Sequence, residues 1–288
     1  MSKKFKNKNP YLKQRNRQIK SLVCHSDILG YKEFAQRSTN ANLQKLNNTL
    51  SKAYEKMLGH RGPERFWPEE DYARFEMKTF TDNVVVGYPI QRPEWDHGEP
   101  ELGDLIWLIS NLQLFLALDG FFIRGGVAYG KCYIDEHVVF GEAFVDAVQL
   151  DKSNGAPRIV FSNSARKSIE KHFEAHGGRI ESTPHYHDLL KDADGEYFIN
   201  YLNLSLIAYP YDQVFFDFII QHKNQIEHGL LSYRGITNVY AKYEWAARYH
   251  NFFCEDFAQR YSHTAESQEM LSHVIKLEDF IPAPCRLA

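Results

Sequence analysis

The chain has 288 residues, 43% of them hydrophobic and 25% charged, with a formal net charge of −3. That balance suits a soluble chain with one sizeable core. It excludes a disordered or collagen-like polymer and a protein held to nucleic acid by overall positive charge. Four scattered cysteines (Cys24, Cys132, Cys254 and Cys285) form no Cys-x-x-Cys pair, which fits a reducing, cytoplasmic setting.

Residues 1–18 carry seven basic side chains, from Lys3 to Arg17, and no acid. They read as a basic flexible arm. The arm lacks the apolar stretch of a signal peptide, and no apolar run reaches membrane-spanning length. Ile19 to Cys24 reads as a buried strand that ends in Ser26-Asp27-Ile28-Leu29-Gly30. A helix can start at Tyr31. An acid at a strand end before a glycine turn is usually a cap or turn residue. The same arrangement can hold a hard cation, while the amides that open the next helix face an anion. Gly30 allows a tight backbone path beside phosphates.

Leu43, Leu46, Leu50, Ala53, Tyr54 and Met57 give helical spacing over 38–58. A Gly/Pro loop covers 59–70. Residues 73–80 and 84–86 read as a hairpin with Asp82-Asn83 at its tip, and 89–102 as a polar, Pro-rich insertion. An apolar helix is expected over 104–119, capped by Gly120. Phe121 to Tyr129 reads as a strand that turns at Gly130-Lys131 into a partner over 132–140. Helices over 141–152 and 162–176 flank a buried strand at 157–161, and 197–206 reads as a strand. Helices over 215–227 and 238–257 follow. The tail, 261–288, reads as irregular. The fold class is therefore α+β, one mixed or antiparallel sheet with helices packed on it. The main domain spans 19–260.

Asp27 and Asp82 each follow an apolar strand. If those strands are neighbours, both carboxylates reach one sheet edge. Two carboxylates sharing two hard cations suit phosphoryl transfer. Arg124, before a glycine pair, can approach triphosphate oxygens bidentately or pair with an acid.

Four ordered stretches resemble the class III nucleotide cyclase catalytic domains. They are Asp27-Ile28-Leu29-Gly30-Tyr31; Lys78-Thr79-Phe80-Thr81-Asp82, with Thr81 where the family has glycine; Arg124-Gly125-Gly126 through Gly130; and Gly141-Glu142-Ala143. They cover about half the chain. The phrases Asp82 to Val86, Arg124 to Ala128, Val139-Phe140-Gly141 and Lys242-Tyr243-Glu244-Trp245 look like one branch, the bacterial pyrimidine cyclases of antiphage (Pycsar-type) signalling.

The resemblance implies a ferredoxin-like cyclase sheet and two Mn²⁺ or Mg²⁺ ions held by Asp27, Asp82 and the Ile28 carbonyl. It implies nucleotide contacts from Lys78, Arg124, Gly30 and Tyr31, and a homodimer with sites at its interface. The product would be a cyclic nucleotide read by a separate effector, with no nucleic-acid partner. Two departures matter. Val145 and Gln149 fall where adenylyl cyclases carry their transition-state Asn and Arg, and neither can do that job. Val138 falls near the adenine-reading Asp. Lys78 takes the base-contacting position and donates only, which favours a carbonyl of uracil and so UTP over CTP. The missing cation could come from Arg158 or Arg166. The alternative is a catalytically inactive homologue that binds nucleotide or a partner.

Overall fold

A computed structural model describes residues 9–14, 17–37, 39–59, 74–208, 212–277 and 284–287. Strand β1 (Ile19–Ile28) leads into helices α1 (Tyr31–Arg37) and α2 (Asn40–Gly59). The hairpin β2 (Glu76–Phe80) and β3 (Asn83–Pro89) precedes α3 (Glu99–Leu118) and β4 (Ile123–Ile134). Then come β5 (Val139–Phe140), α4 (Glu142–Ser153), β6 (Ile159–Phe161) and α5 (Asn163–Ala175). β7 (Leu189–Lys191), β8 (Tyr197–Ile199) and α6 (Asn203–Ala208) follow, then α7 (Gln213–Ser232), α8 (Thr237–Arg260), α9 (Ala265–Ser272) and β9 (Cys285–Arg286).

The sheet runs β2-β3-β1-β4-β6-β8-β7-β9, with β5 on β4. Antiparallel pairing of β1 with β3 and β4, and of β2 with β3, gives the first four strands the β-α-β-β-α-β order of a ferredoxin-like unit. One parallel pair, β4 with β6, makes the sheet mixed. The α+β expectation is borne out.

Strand alternation sorts side chains onto two faces. Leu22, Cys24, Val84, Val86 and Val127 face the larger core with α3 and the C-terminal helices. Val23, Val85, Ala128 and Cys132 face a smaller cluster with Ala143 and Ala147 of α4. Leu105, Ile109, Leu112 and Leu116 of α3 are fully buried.

Several expectations are corrected. Helix α3 starts five residues before the expected 104, because Pro100 is tolerated in a first turn. It is long and apolar enough to span a bilayer, with a mean hydropathy of 1.3, so one run does reach that length; 83% of that window is buried inside the protein. Strand β4 runs unbroken through Gly130-Lys131, and Gly130 pairs with Ser21. Its hairpin to β5 turns later, where Asp135 Oδ1 accepts from the amides of His137 and Val138. The strand expected over 197–206 is the short β8 followed by α6.

The tail is not irregular throughout, since α9 forms and β9 pairs with β7, held by Arg286 on Asp256 at 2.6 Å. Nor is the basic arm free along its length. Pro10–Gln14 is a 3₁₀ turn whose buried Tyr11 donates to Ser21 Oγ at 3.0 Å. The loop expected at 59–70 lies outside the described residues from His60 onward.

Candidate active site

The end of β1 brings the two acids together. The Ile28 amide donates to the Asp82 carbonyl at 3.3 Å, and Asp27 pairs across the ladder with Asn83 on one side and Arg124 on the other. The Asp27 and Asp82 carboxyls are within hydrogen-bonding reach. Burial, then that bond and the charge of Asp82, push the Asp27 carboxyl above the usual carboxylate range, with Arg124 opposing.

Thr81, in the turn between β2 and β3, sits at φ 56°. A β-branched residue there is strained. Its hydroxyl lies 2.6 Å from Asp82 Oδ1, and the Asn83 amide donates to the same oxygen at 3.1 Å. These contacts aim Asp82 at Asp27. Gly30, at φ 78°, turns the chain from β1 into α1. Tyr31 packs against the larger core.

Arg124 has partners on all three nitrogens. Nη2 meets Asp27 Oδ2, Nε meets Asp151 Oδ1, and Nη1 donates to the Asn154 carbonyl, each at 3.2 Å. Asp151, in α4, is 4% exposed. Its carboxyl is pushed up to about 6, chiefly by burial against the opposing charge of Arg124. Its Oδ2 lies 3.5 Å from Nδ1 of buried His25. Burial lowers His25 more than its bond to Asn83 raises it.

Lys78 pairs with Val85, and Val85 with His25, so Lys78 shares a sheet face with Asp27 and Arg124. It is two strands from β1, about 10 Å, and its Nζ is 3.1 Å from Glu76 Oε1.

The other candidate cations are committed elsewhere. Arg158 is buried, paired with Asp192 and Asp194, and lies 5.9 Å from the Trp245 ring. It is a structural residue. Arg166 binds Gly195 and Asn163 at the start of α5. Because β6 runs parallel to β4, that helix starts beside Val127 and Tyr129 in the middle of β4, farther along the strand than Arg124. Val145 is 51% exposed, and Gln149 is also exposed.

Among the described residues, no group of three or more His, Cys, Asp or Glu side chains is arranged to hold a metal ion. The donors at this site are two hard carboxylates with Ile28 beside them. That set fits Mg²⁺ or Mn²⁺, since small hard cations take one or two carboxylates and complete their shell with waters and substrate phosphates.

Asp151, His25 and Asn154 were not singled out from sequence. A signal for Asp151 existed. It continues the buried stripe Ala143, Ala147, Asp151 on α4, and an acid in an apolar stripe calls for a partner.

No protein-family model matches the sequence, and no curated protein matches it. Among solved structures, the guanylyl cyclase Cya2 aligns with a TM-score of 0.37 and 13% identity, over 52% of this chain and 78% of that one. The catalytic core of a rhodopsin-guanylyl cyclase with converted specificity, in complex with ATPαS, aligns at 0.38 and 16% identity, over 64% and 96%. A class III adenylyl cyclase-like ATP-binding protein from Pseudomonas aeruginosa aligns at 0.37 and 13% identity, over 53% and 35%.

Proposed function

We propose that this chain is a nucleotide cyclase that converts a pyrimidine nucleoside triphosphate, UTP ahead of CTP, to its 3′,5′-cyclic monophosphate and pyrophosphate. The observation that carries the reading is the meeting of Asp27 and Asp82 at one sheet edge with Arg124 against Asp27. In the proposal, residues 19–260 form the catalytic domain, and Asp27, Asp82 and the Ile28 carbonyl hold two divalent ions. When bound, those ions lower the pKa of the ribose 3′-hydroxyl and neutralise charge on the triphosphate. Arg124 supplies a fixed positive charge beside the carboxylates. Gly30 and Tyr31 line the approach of the phosphates. Lys78 donates to a uracil carbonyl, a role supported by its half-buried place on the same face. The ribose 3′-hydroxyl gives its proton to solvent, its oxygen bonds to the α-phosphorus, the bond from that phosphorus to the oxygen shared with the β-phosphorus breaks, and pyrophosphate leaves.

The proposed enzyme works as a homodimer in the cytoplasm, and its product activates a separate antiphage effector. Val138, just before β5, Phe140 on β5 and Val145 at the start of α4 are 44%, 61% and 51% exposed, which offers apolar surface to a second copy. One observation favours a second reading, an inactive nucleotide-binding homologue. The exposed α4 positions Val145 and Gln149 carry no charge to place at a reacting phosphate.

The two readings separate on incubation of the full chain with each nucleoside triphosphate and Mn²⁺, with products read by mass spectrometry. Cyclic UMP as the main product is expected. Asp27→Asn and Asp82→Asn should each abolish it and leave the circular dichroism spectrum unchanged. Product surviving either change sinks the two-metal assignment, and bound nucleotide without turnover supports the inactive homologue.

A further inference from the structure

Helix α4 offers no cation to this site, yet it buries an acid there. Asp151 and Asn154 are 4% and 6% exposed. Keeping a carboxylate out of water is costly unless it is paired, and a third apolar residue after Ala143 and Ala147 would have served packing alone. Asp151 Oδ1 forms an ion pair with Nε of Arg124 at 3.2 Å, and its Oδ2 lies 3.5 Å from His25 Nδ1. One turn on, the carbonyl of Asn154 takes Nη1. Asn154 is itself held, because its side-chain amide donates to the Arg158 carbonyl at 2.7 Å and its Oδ1 accepts from Arg158 Nε at 3.3 Å. Two edges of the guanidinium are thus clamped from the end of α4. The remaining edge, Nη2, faces Asp27 Oδ2.

A planar guanidinium has five N–H groups in a fixed fork. Hydrogen bonds engage one on Nη1 and one on Nη2 and leave one free on each, while Nε faces Asp151 Oδ1 as a buried ion pair without an aligned hydrogen bond. Resting on the cyclase reading, we propose that Asp151 is a positioning residue for Arg124. It grips Nε so that the Nη edge stays beside the two acids and presents its two remaining N–H groups to the triphosphate. On this account the charge that α4 lacks at Gln149 comes from β4, with α4 contributing the clamp. Arg124→Lys keeps the charge but has no Nε to hold, so it should behave like loss of Asp151.

The test is calorimetric titration of the full-length protein with inorganic tripolyphosphate in the presence of Mn²⁺, and separately with Mn²⁺ alone. Wild type, Asp151→Asn, Arg124→Lys, Arg124→Ala and the Asp151→Asn/Arg124→Ala double variant are compared, each checked for its melting temperature. Asp151→Asn should weaken tripolyphosphate binding about tenfold, the scale of losing an outer-shell partner. It should leave Mn²⁺ affinity within about twofold, because it removes no proposed metal ligand. On the Arg124→Ala background it should add no further loss, since both changes remove one unit. Wild-type tripolyphosphate affinity in Asp151→Asn overturns the proposal, as does full additivity in the double variant. If Asp151→Asn does not fold, Arg124→Lys decides: wild-type affinity there overturns it. Failure of the wild type to bind tripolyphosphate brings down the cyclase reading as well, whereas wild-type binding with unaffected variants brings down this inference alone.

Discussion

A methyl group at residue 126 would collide with the helix that carries Asp151. A Cβ built on Gly126 lies 2.5 Å from Leu150 Cβ and 2.8 Å from the Ala147 carbonyl oxygen, both on α4. The strand and helix meet here because no side chain stands between them. Gly126→Ala should therefore destabilise the protein by about 1–3 kcal/mol, the usual cost of overpacking, read as a lower urea midpoint. An unchanged midpoint would mean that α4 is free to shift. The same scale marks what the sequence disclosed of the site. Asp27 and Asp82 were legible because an acid closing an apolar strand stands out locally. The partners of Arg124 were not legible. Its three contacts come from residues 97, 27 and 30 positions away, and no local pattern encodes such distances.

At the scale of elements, local signals did well where they were physical. The helix expected over 162–176 forms as α5, and Ser162 caps it by accepting from the Ala165 amide at 3.1 Å. Ser162→Ala should cost about 1 kcal/mol, visible as a few degrees of melting temperature. A shift of zero would mean that the cap bond contributes nothing net. Signals misled where glycine was read as a turn. Gly130 lies inside β4 because a neighbour needs the room: its would-be Cβ is 3.0 Å from Glu142 Cγ, and Glu142 Oε1 accepts from the Lys131 amide at 3.1 Å. The β8–α6 error has a similar origin. An apolar run of that length reads as strand or buried helix, and periodicity alone does not separate them.

At the scale of the whole molecule, a buried chain of polar groups ties the C-terminal helices to the sheet. His250 Nε2 lies 3.1 Å from the His273 carbonyl, so this nitrogen donates. Its Nδ1 then accepts from His222 Nδ1 at 3.0 Å, and His222 Nε2 accepts from the Tyr201 hydroxyl at 2.7 Å. Both rings are fully buried and neutral. Burial lowers His250 to about 4, with Lys223 adding to the effect, and drives His222 well below its usual value. In the unfolded chain both titrate near 6.5. Between these values the unfolded state binds protons that the native state refuses, so stability is full at neutral pH and falls as pH drops through the window. By about pH 5 the loss from His250 alone should reach about 2 kcal/mol. Urea unfolding at neutral pH and near pH 5 checks it; equal midpoints would show that these histidines carry no linkage.

The sequence by itself determined the class of fold, the order of the helices and strands near the site, and the two acids at its edge. Hydrophobic periodicity and strand-ending carboxylates are local properties of the chain. The tertiary structure alone decided which groups face those acids. The strand order β3-β1-β4 sets Asp27 between Asn83 and Arg124, and the close seat of α4 on Gly126 brings Asp151 to the guanidinium. Long-range packing selects such neighbours, because burying a carboxylate is tolerable only where the fold has already placed its cation.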